Sequence, residues 1–444
     1  MPKQIRGAYK NETRSKDGTP GSKYWQNTAD YEIEVKVDPK TRKLEGEETV
    51  SYTNNSPDEL GFIVIRLYFD VFKKANPRAS GVNPEDIGEG VELKSLSING
   101  TDIDLAGRNV QRSATNLSVR LPEALPAGGK MELKTSWAQY IPLTNRRTGA
   151  ADSTSFFVAY WYPQISVYDD VFGWDTEEYS LRTEFYNNLS SYDVTIQAPK
   201  EFLVWATGEL QNPDEVYPPT IAERYKRALI SEERVSLITA KNLTDGYESL
   251  SDRWNYKAQD VTDFAFALSD HYLWDAAIQK VEDRKVLISS VYPNQNPDAF
   301  KELTSIQQKI MKHFSEDFPG IPYPFSRFTT FIGLQGGGME FPMMAYNQGP
   351  NLGLTAHEMY HMYFPMYVRI NERRFAWMDE GWADYCTSVV TSRYWQGNDK
   401  PLFSNFKPSI QGMVGTYEDL PLITSSQFMD ASNYGYASYP LPAF

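Results

Sequence analysis

From about residue 26 to about residue 258 the chain alternates apolar and polar residues with a period of two, segment after segment. No other feature restricts its fold as much. Tyr31-Glu-Ile-Glu-Val-Lys-Val37 alternates without a break, and so do Asn116-Leu-Ser-Val-Arg-Leu121 and Tyr192-Asp-Val-Thr-Ile-Gln197. Successive side chains of a strand point to opposite faces, so each segment offers one apolar face to a core and one polar face to water. Turn residues such as Asn54-Asn55-Ser56-Pro57 and Pro126-Ala-Gly-Gly129 separate the segments. The pattern predicts a large antiparallel β domain over 26–258. Residues 1–25 are polar and read as a flexible arm.

The texture changes after about 259. Asp263-Phe-Ala-Phe-Ala-Leu-Ser269, Lys285-Val-Leu-Ile-Ser-Ser-Val291 and Phe328-Thr-Thr-Phe-Ile-Gly-Leu334 read as buried strands. Between the last two, Phe300, Leu303, Ile306, Ile310 and Phe314 keep helical spacing. Asn296 stands ready as a cap, with Pro297 in the first turn. From about 353 the text is mostly helical. Strands alternating with helices predict a second, α/β domain over 259–444, so the fold class is α+β and multidomain. A length of 444 residues agrees with two or three domains.

Composition narrows the function. With 41% hydrophobic and 14% aromatic residues the chain can bury large cores. A net charge of −14 argues against nucleic acid or anionic membranes as partners and suits substrates that carry a positive group. No run approaches the ~18 apolar residues of a membrane span, and no apolar stretch follows Met1 to suggest a signal peptide. The single cysteine, Cys386, excludes an intrachain disulfide and reads as a small buried hydrophobe.

The chemistry is concentrated in His357-Glu358-Met359-Tyr360-His361. Positions four apart on a helix share a face, so both imidazoles can reach one ion. Glu358 lies about 100° round from His357, awkward for ligation but well placed to touch a water on that ion. Two neutral imidazoles with one carboxylate and an open position suit catalytic zinc. The third ligand is expected on a following helix, and Asp379-Glu380-Gly381-Trp382-Ala383-Asp384 supplies Glu380 after 18 intervening residues. Asp384, one turn on, could accept the free N–H of a ligand histidine, or be a solvated helix acid. His271 and His313, the other two histidines, read as structural.

An HExxH followed after 18 residues by the glutamate of a DEGWA phrase resembles the aminopeptidase N family of zinc metallopeptidases, a branch of the gluzincins. Gly337-Gly338-Met339-Glu340, upstream, is similar to that family's GxMEN strand. The resemblance implies a β-rich saddle domain, then a thermolysin-like catalytic domain holding one zinc through His357, His361 and Glu380, with Glu358 as general base. It implies that Glu340 pairs with the free α-ammonium of a peptide, and that Gly337, Gly338 and Met339 let the substrate backbone approach. It also implies an oxyanion tyrosine downstream, for which Tyr439 fits the spacing better than Tyr434 or Tyr436. Tyr160, Trp161 and Tyr162 could line the first pocket, although core packing suits them better.

Two departures stand out. The family's asparagine after the glutamate is Phe341 here, and the helical domain that follows the catalytic domain in the family is not found, so the chain reads as incomplete at its C-terminus. The function implied is a zinc-dependent aminopeptidase acting on peptides with a free N-terminus. A zinc endopeptidase or other zinc hydrolase on the same fold stays open because of Phe341, and so does a non-catalytic peptide-binding relative.

Overall fold

A computed structural model of the chain describes residues 3–395 and, beyond them, 412, 415–416, 419–421 and 424–429. Among these residues it is a mixed α+β structure built on two principal sheets. The larger has eight strands, in the spatial order Glu209–Leu210, Arg253–Val261, Ser190–Gln197, Thr28–Asp38, Lys43–Thr53, Lys130–Tyr140, Glu92–Ile98 and Thr101–Asp102. The predicted alternation becomes alternating burial here: Ala29, Tyr31, Ile33, Val35 and Val37 of the Thr28–Asp38 strand all point into the core. All pairings in this sheet are antiparallel except one. Thr28–Asp38 runs parallel to Ser190–Gln197, with Tyr31 opposite Tyr192 and their rings stacked 5.0 Å apart. Alternation fixes which face is buried but not the direction of a neighbour, so the sequence did not carry this exception. Gly46 faces Trp137 on the adjacent strand, and a Cβ there would lie 2.6 Å from the indole.

The second sheet has six strands in the order Val235–Ile238, Tyr272–Val281, Arg284–Pro293, Arg327–Ile332, Met344–Asn347 and Glu340–Phe341. Arg284–Pro293, Arg327–Ile332 and Met344–Asn347 are mutually parallel, and their cores read as continuous apolar runs because helices cover them. The short Glu340–Phe341 strand forms the edge. The Leu303–Glu316 helix packs on Tyr272–Val281 and Arg284–Pro293. It begins later than expected: Asn296 is left-handed (φ 52°) and makes no cap hydrogen bond, and Pro297–Ala299 forms a separate 3₁₀ turn.

The two regions interlock across residue 258. Val235–Ile238 joins the six-stranded sheet, whereas Phe266–Ser269 pairs with Ser155–Val158 and Leu203–Ala206. Near the start, Lys3–Lys10 forms a helix, and Thr13 and Arg14 both bond the Asp170 carboxylate. This stretch of the expected arm is therefore held against the body of the protein. No helix among the described residues is long and apolar enough to cross a membrane.

Candidate active site

His357 and Glu358 lie on the Leu352–Tyr360 helix, which Asn351 caps by accepting a hydrogen bond from the Leu354 N–H at 3.0 Å. His361 follows at the C-terminal end, just before a π-turn over Met362–Tyr367. Glu380 opens the Glu380–Trp395 helix. The two helices pack against each other. The segment between them is anchored on the β-rich part of the chain. The Arg373 guanidinium donates to the Glu177 carbonyl, and Arg374 pairs with the Glu177 carboxylate at 2.5 Å while lying over the Phe172 ring.

The structure brings together one ligand atom each from His357, His361 and Glu380, all within 4.8 Å of one another. His357 Nε2 stands 3.1 Å from Glu380 Oε2 and His361 Nε2 stands 3.8 Å from the same oxygen. His361 is fully buried, yet its Nε2 makes no hydrogen bond among the described residues. A buried imidazole nitrogen directed at a carboxylate beyond hydrogen-bond reach fits a metal ligand, and the set of two nitrogens and one oxygen fits zinc. The opposite ring nitrogens meet carboxylates: His357 Nδ1 lies 3.2 Å from Asp384 and His361 Nδ1 lies 2.7 Å from Asp379. Asp384 is where the helical spacing placed it. Asp379 escaped the sequence reading; its only signal is that it immediately precedes the helix bearing Glu380.

The electrostatics favour positive charge between the rings. Burial opposes protonation of His361, but Glu340 and Asp379 outweigh it and raise its pKa to about 10. Burial likewise opposes His357, and the Asp384 and Glu380 carboxylates again prevail. The same field stabilises a dication. Glu358 moves the other way: burial pushes its carboxyl up to about 7, against the pull of the two histidines. A base poised near neutrality suits proton transfer.

Glu358 packs directly on the glycine run. A Cβ on Gly338 would come within 2.2 Å of Glu358 Oε1, so this position must lack a side chain for Glu358 to hold its place. Gly337 is left-handed (φ 71°) and exchanges hydrogen bonds with Gln348, its N–H donating to the side chain and its carbonyl accepting from the backbone. Met339 and Tyr346 exchange backbone hydrogen bonds of 3.0 and 2.8 Å. This carries Glu340 onto the edge strand, in register with Ala345. Glu340 is 4% exposed and its Oε1 has no hydrogen-bond partner among the described residues. Burial raises its pKa well above the usual carboxylate range, His361 opposing and Glu184 adding to the shift.

These groups line one cleft of about 790 Å³, which takes in Gly336–Glu340, His357, Glu358, Glu380 and Asp384. Its other wall comes from the β-rich part: Asn145, Arg146, Arg147 and Glu184. Arg147 makes a bidentate pair with Glu184 and donates to Met339 Sδ at 3.2 Å. Sequence reasoning missed this pair, since nothing local links residues 37 positions apart.

Phe341 turns inward, 1% exposed, its ring against Phe157 and Tyr160 at 5.0 and 5.4 Å. Tyr160, Trp161 and Tyr162 are buried and none of them lines the cleft. Cys386 is buried as expected, and burial lifts its thiol pKa to about 12. Tyr439, with Tyr434 and Tyr436, lies outside the described residues.

No protein-family model matches the sequence, and no curated protein matches it. Solved structures do match the fold. An M1 zinc metallopeptidase from Deinococcus radiodurans superposes with a TM-score of 0.58 at 13% identity, over 93% of this chain and 81% of that one. A mutant of the Deinococcus radiodurans enzyme bound to a Tyr-Ser-Ala substrate gives 0.56 at 12% identity, over 95% and 83%. Legionella pneumophila aminopeptidase A in complex with aspartic acid gives 0.54 at 11% identity, over 82% of this chain and 38% of that one. The chain thus shares the fold of these metallopeptidases.

Proposed function

We propose that the chain is a zinc-dependent aminopeptidase of the M1, or aminopeptidase N, family, cleaving single residues from peptides with a free N-terminus. The observation that carries this reading is the convergence of His357, His361 and Glu380 within 4.8 Å, beside Glu358 and in the same cleft as Glu340. The division into a β-rich N-terminal domain to about 258 and a catalytic domain from 259, each lending the other a single strand, belongs to the same proposal.

In this reading His357, His361 and Glu380 hold one zinc per chain, which polarises the scissile carbonyl and acidifies water when bound. Glu358 accepts the proton of the attacking water and passes it to the leaving amine. Gly338 holds that carboxylate in place by leaving room for it. Glu340 receives the substrate's α-ammonium, which fixes the scissile bond one residue from the N-terminus. Its partnerless, buried Oε1 supports the role, because a buried carboxylate without a partner is costly until a cation meets it. The outer edge of the Glu340–Phe341 strand offers backbone groups to an extended peptide. Tyr439 is retained as the proposed oxyanion donor.

Phe341 favours a second reading. Its ring is committed to the core, so a polar contact to the substrate backbone is missing at that position, and an endopeptidase with a loosened amine anchor would tolerate this. Zinc content and turnover of leucine p-nitroanilide against its N-acetylated form test both readings. Stoichiometric zinc with cleavage of the free-amine substrate alone supports the aminopeptidase. Equal cleavage of both favours the endopeptidase, and absence of zinc after reconstitution rejects both.

A further inference from the structure

Five carboxylates line the cleft, Glu184, Glu340, Glu358, Glu380 and Asp384, against two guanidiniums, Arg146 and Arg147. Arg147 is wholly engaged, bidentate with Glu184 and bonded to Met339 Sδ. Arg146 is exposed, and among the described residues its side chain makes no hydrogen bond, ion pair or ring contact. A guanidinium that lines this acidic cleft and pairs, among the described residues, with none of its carboxylates is open to a carboxylate brought by a ligand.

That backbone is fixed on both sides of Arg146. Asn145 Nδ2 donates to the Gly333 carbonyl at 2.8 Å, which ties the loop to the strand leading into the glycine run. On the other side Arg147 is fastened to Glu184 and Met339. Thr148 Oγ1 donates to the Phe157 carbonyl at 3.0 Å and accepts from the Ala159 N–H at 3.1 Å. The loop backbone is therefore fixed, and of the three loop side chains that line the cleft Arg146 is the exposed one. A guanidinium is a planar fork matched to a carboxylate, and mounting it on fixed backbone lowers the entropy lost on binding.

We propose that Arg146 binds a carboxylate of the substrate at the mouth of the cleft. This rests on the aminopeptidase reading, which sets the amine at Glu340 and the remainder of the peptide along the wall that Arg146 occupies. Two groups of a peptide supply that chemistry: an acidic side chain, and the C-terminal carboxylate of a short peptide. Arg146 adds selectivity for one of them to the amine anchor. A peptide bearing that carboxylate then meets the cleft at two oppositely charged points.

Calorimetric binding to the zinc-loaded chain, in the Glu358→Gln background so that peptides stay intact, tests the inference with two pairs of ligands. Glutamic acid α-amide against glutamine α-amide reads the side chain; trialanine against trialanine amide reads the C-terminus. In one pair, the carboxylate member should bind about tenfold more tightly, as a charge-assisted bidentate contact allows. Adding Arg146→Ala should bring that ratio to about one, Arg146→Lys should keep part of it, and Arg146→Glu should invert it. Because Arg146 is exposed and its side chain makes no hydrogen bond, ion pair or ring contact among the described residues, its loss should leave the fold intact. Wild-type Arg146 giving no discrimination in either pair, or discrimination that survives Arg146→Ala, overturns the inference. Hydrolysis is read separately: an Arg146-dependent preference in a chain that cleaves no peptide retains this inference and rejects the aminopeptidase.

Discussion

His361 Nδ1 lies 2.7 Å from an Asp379 carboxylate oxygen, and both side chains are completely buried. Asp379 is one residue before Glu380, so the same helix start that delivers the proposed carboxylate ligand also delivers a group placed to orient the second histidine. A carboxylate on the far nitrogen fixes the ring's tautomer, aims Nε2 inward and strengthens it as a ligand. Asp379→Asn should therefore weaken zinc binding by ~10–100-fold with the fold retained. Competition with a chelating dye measures the affinity, and a zinc Kd equal to wild type would remove Asp379 from the site.

Glu358 and Gly338 form a second pair whose effects should match. Glu358→Gln should retain zinc and lose hydrolysis by ~10²–10⁴-fold, the usual cost of removing a proton-transfer group. Gly338→Val should resemble it, because its Cβ would fall 2.2 Å from Glu358 Oε1 and displace the carboxylate. Zinc content and kcat measured on both variants test this. If Glu358→Gln loses zinc, Glu358 is a ligand and the assignment of Glu380 fails.

Much of this site could be read from the sequence because its signals are local. The i, i+4 histidines, Glu358 between them and Asp384 one turn after Glu380 all follow from helical periodicity, which three to five residues declare. The β-rich half was legible for the same reason: period-two alternation in Tyr31–Val37 dictates which face is buried. The remainder depended on contacts distant in sequence. Arg147 with Glu184, Arg374 with Glu177, and the parallel pairing of Thr28–Asp38 with Ser190–Gln197 leave no local pattern. Phe341 shows a different limit. The motif marked it as a departure from the family's asparagine but not where the ring goes, which its burial against Phe157 and Tyr160 decides.

In the proposed aminopeptidase, Glu340 is the residue that would decide between removal of terminal residues and cleavage elsewhere. Its carboxylate is buried and partly unpartnered, so an ammonium there makes a charge-assisted contact rather than a weak surface pair. Glu340→Ala should lower kcat/KM for free-amine peptides by about 1.5–3 kcal/mol without changing zinc content. N-acetylated peptides should be poor substrates of the wild type and lose little further in the variant. Equal cleavage of acetylated and free peptides by the wild type would defeat the amine-anchor role.

Asp263 does not line the cleft; it is 3% exposed, and its Oδ1 accepts from the Tyr162 hydroxyl and the Phe264 N–H, both within 2.8 Å, while Oδ2 has no partner among the described residues. Burial raises its pKa from 3.8 to about 6, and the two hydrogen bonds only partly oppose the shift. The sign is the reverse of a salt-bridged aspartate. Between about pH 4 and pH 6 the folded chain holds a proton that the unfolded chain has released, so stability falls as pH rises through this window and levels off above it. A displacement from 3.8 to about 6 corresponds to about 3 kcal/mol by pH 7. Asp263→Asn keeps an oxygen to accept both hydrogen bonds and cannot ionise. Its stability relative to wild type should therefore rise by about 2.4 kcal/mol between pH 4 and pH 7, most steeply around pH 5. Urea unfolding of both proteins at intervals across that range measures the difference. A difference that stays constant with pH would mean that Asp263 does not carry the titration.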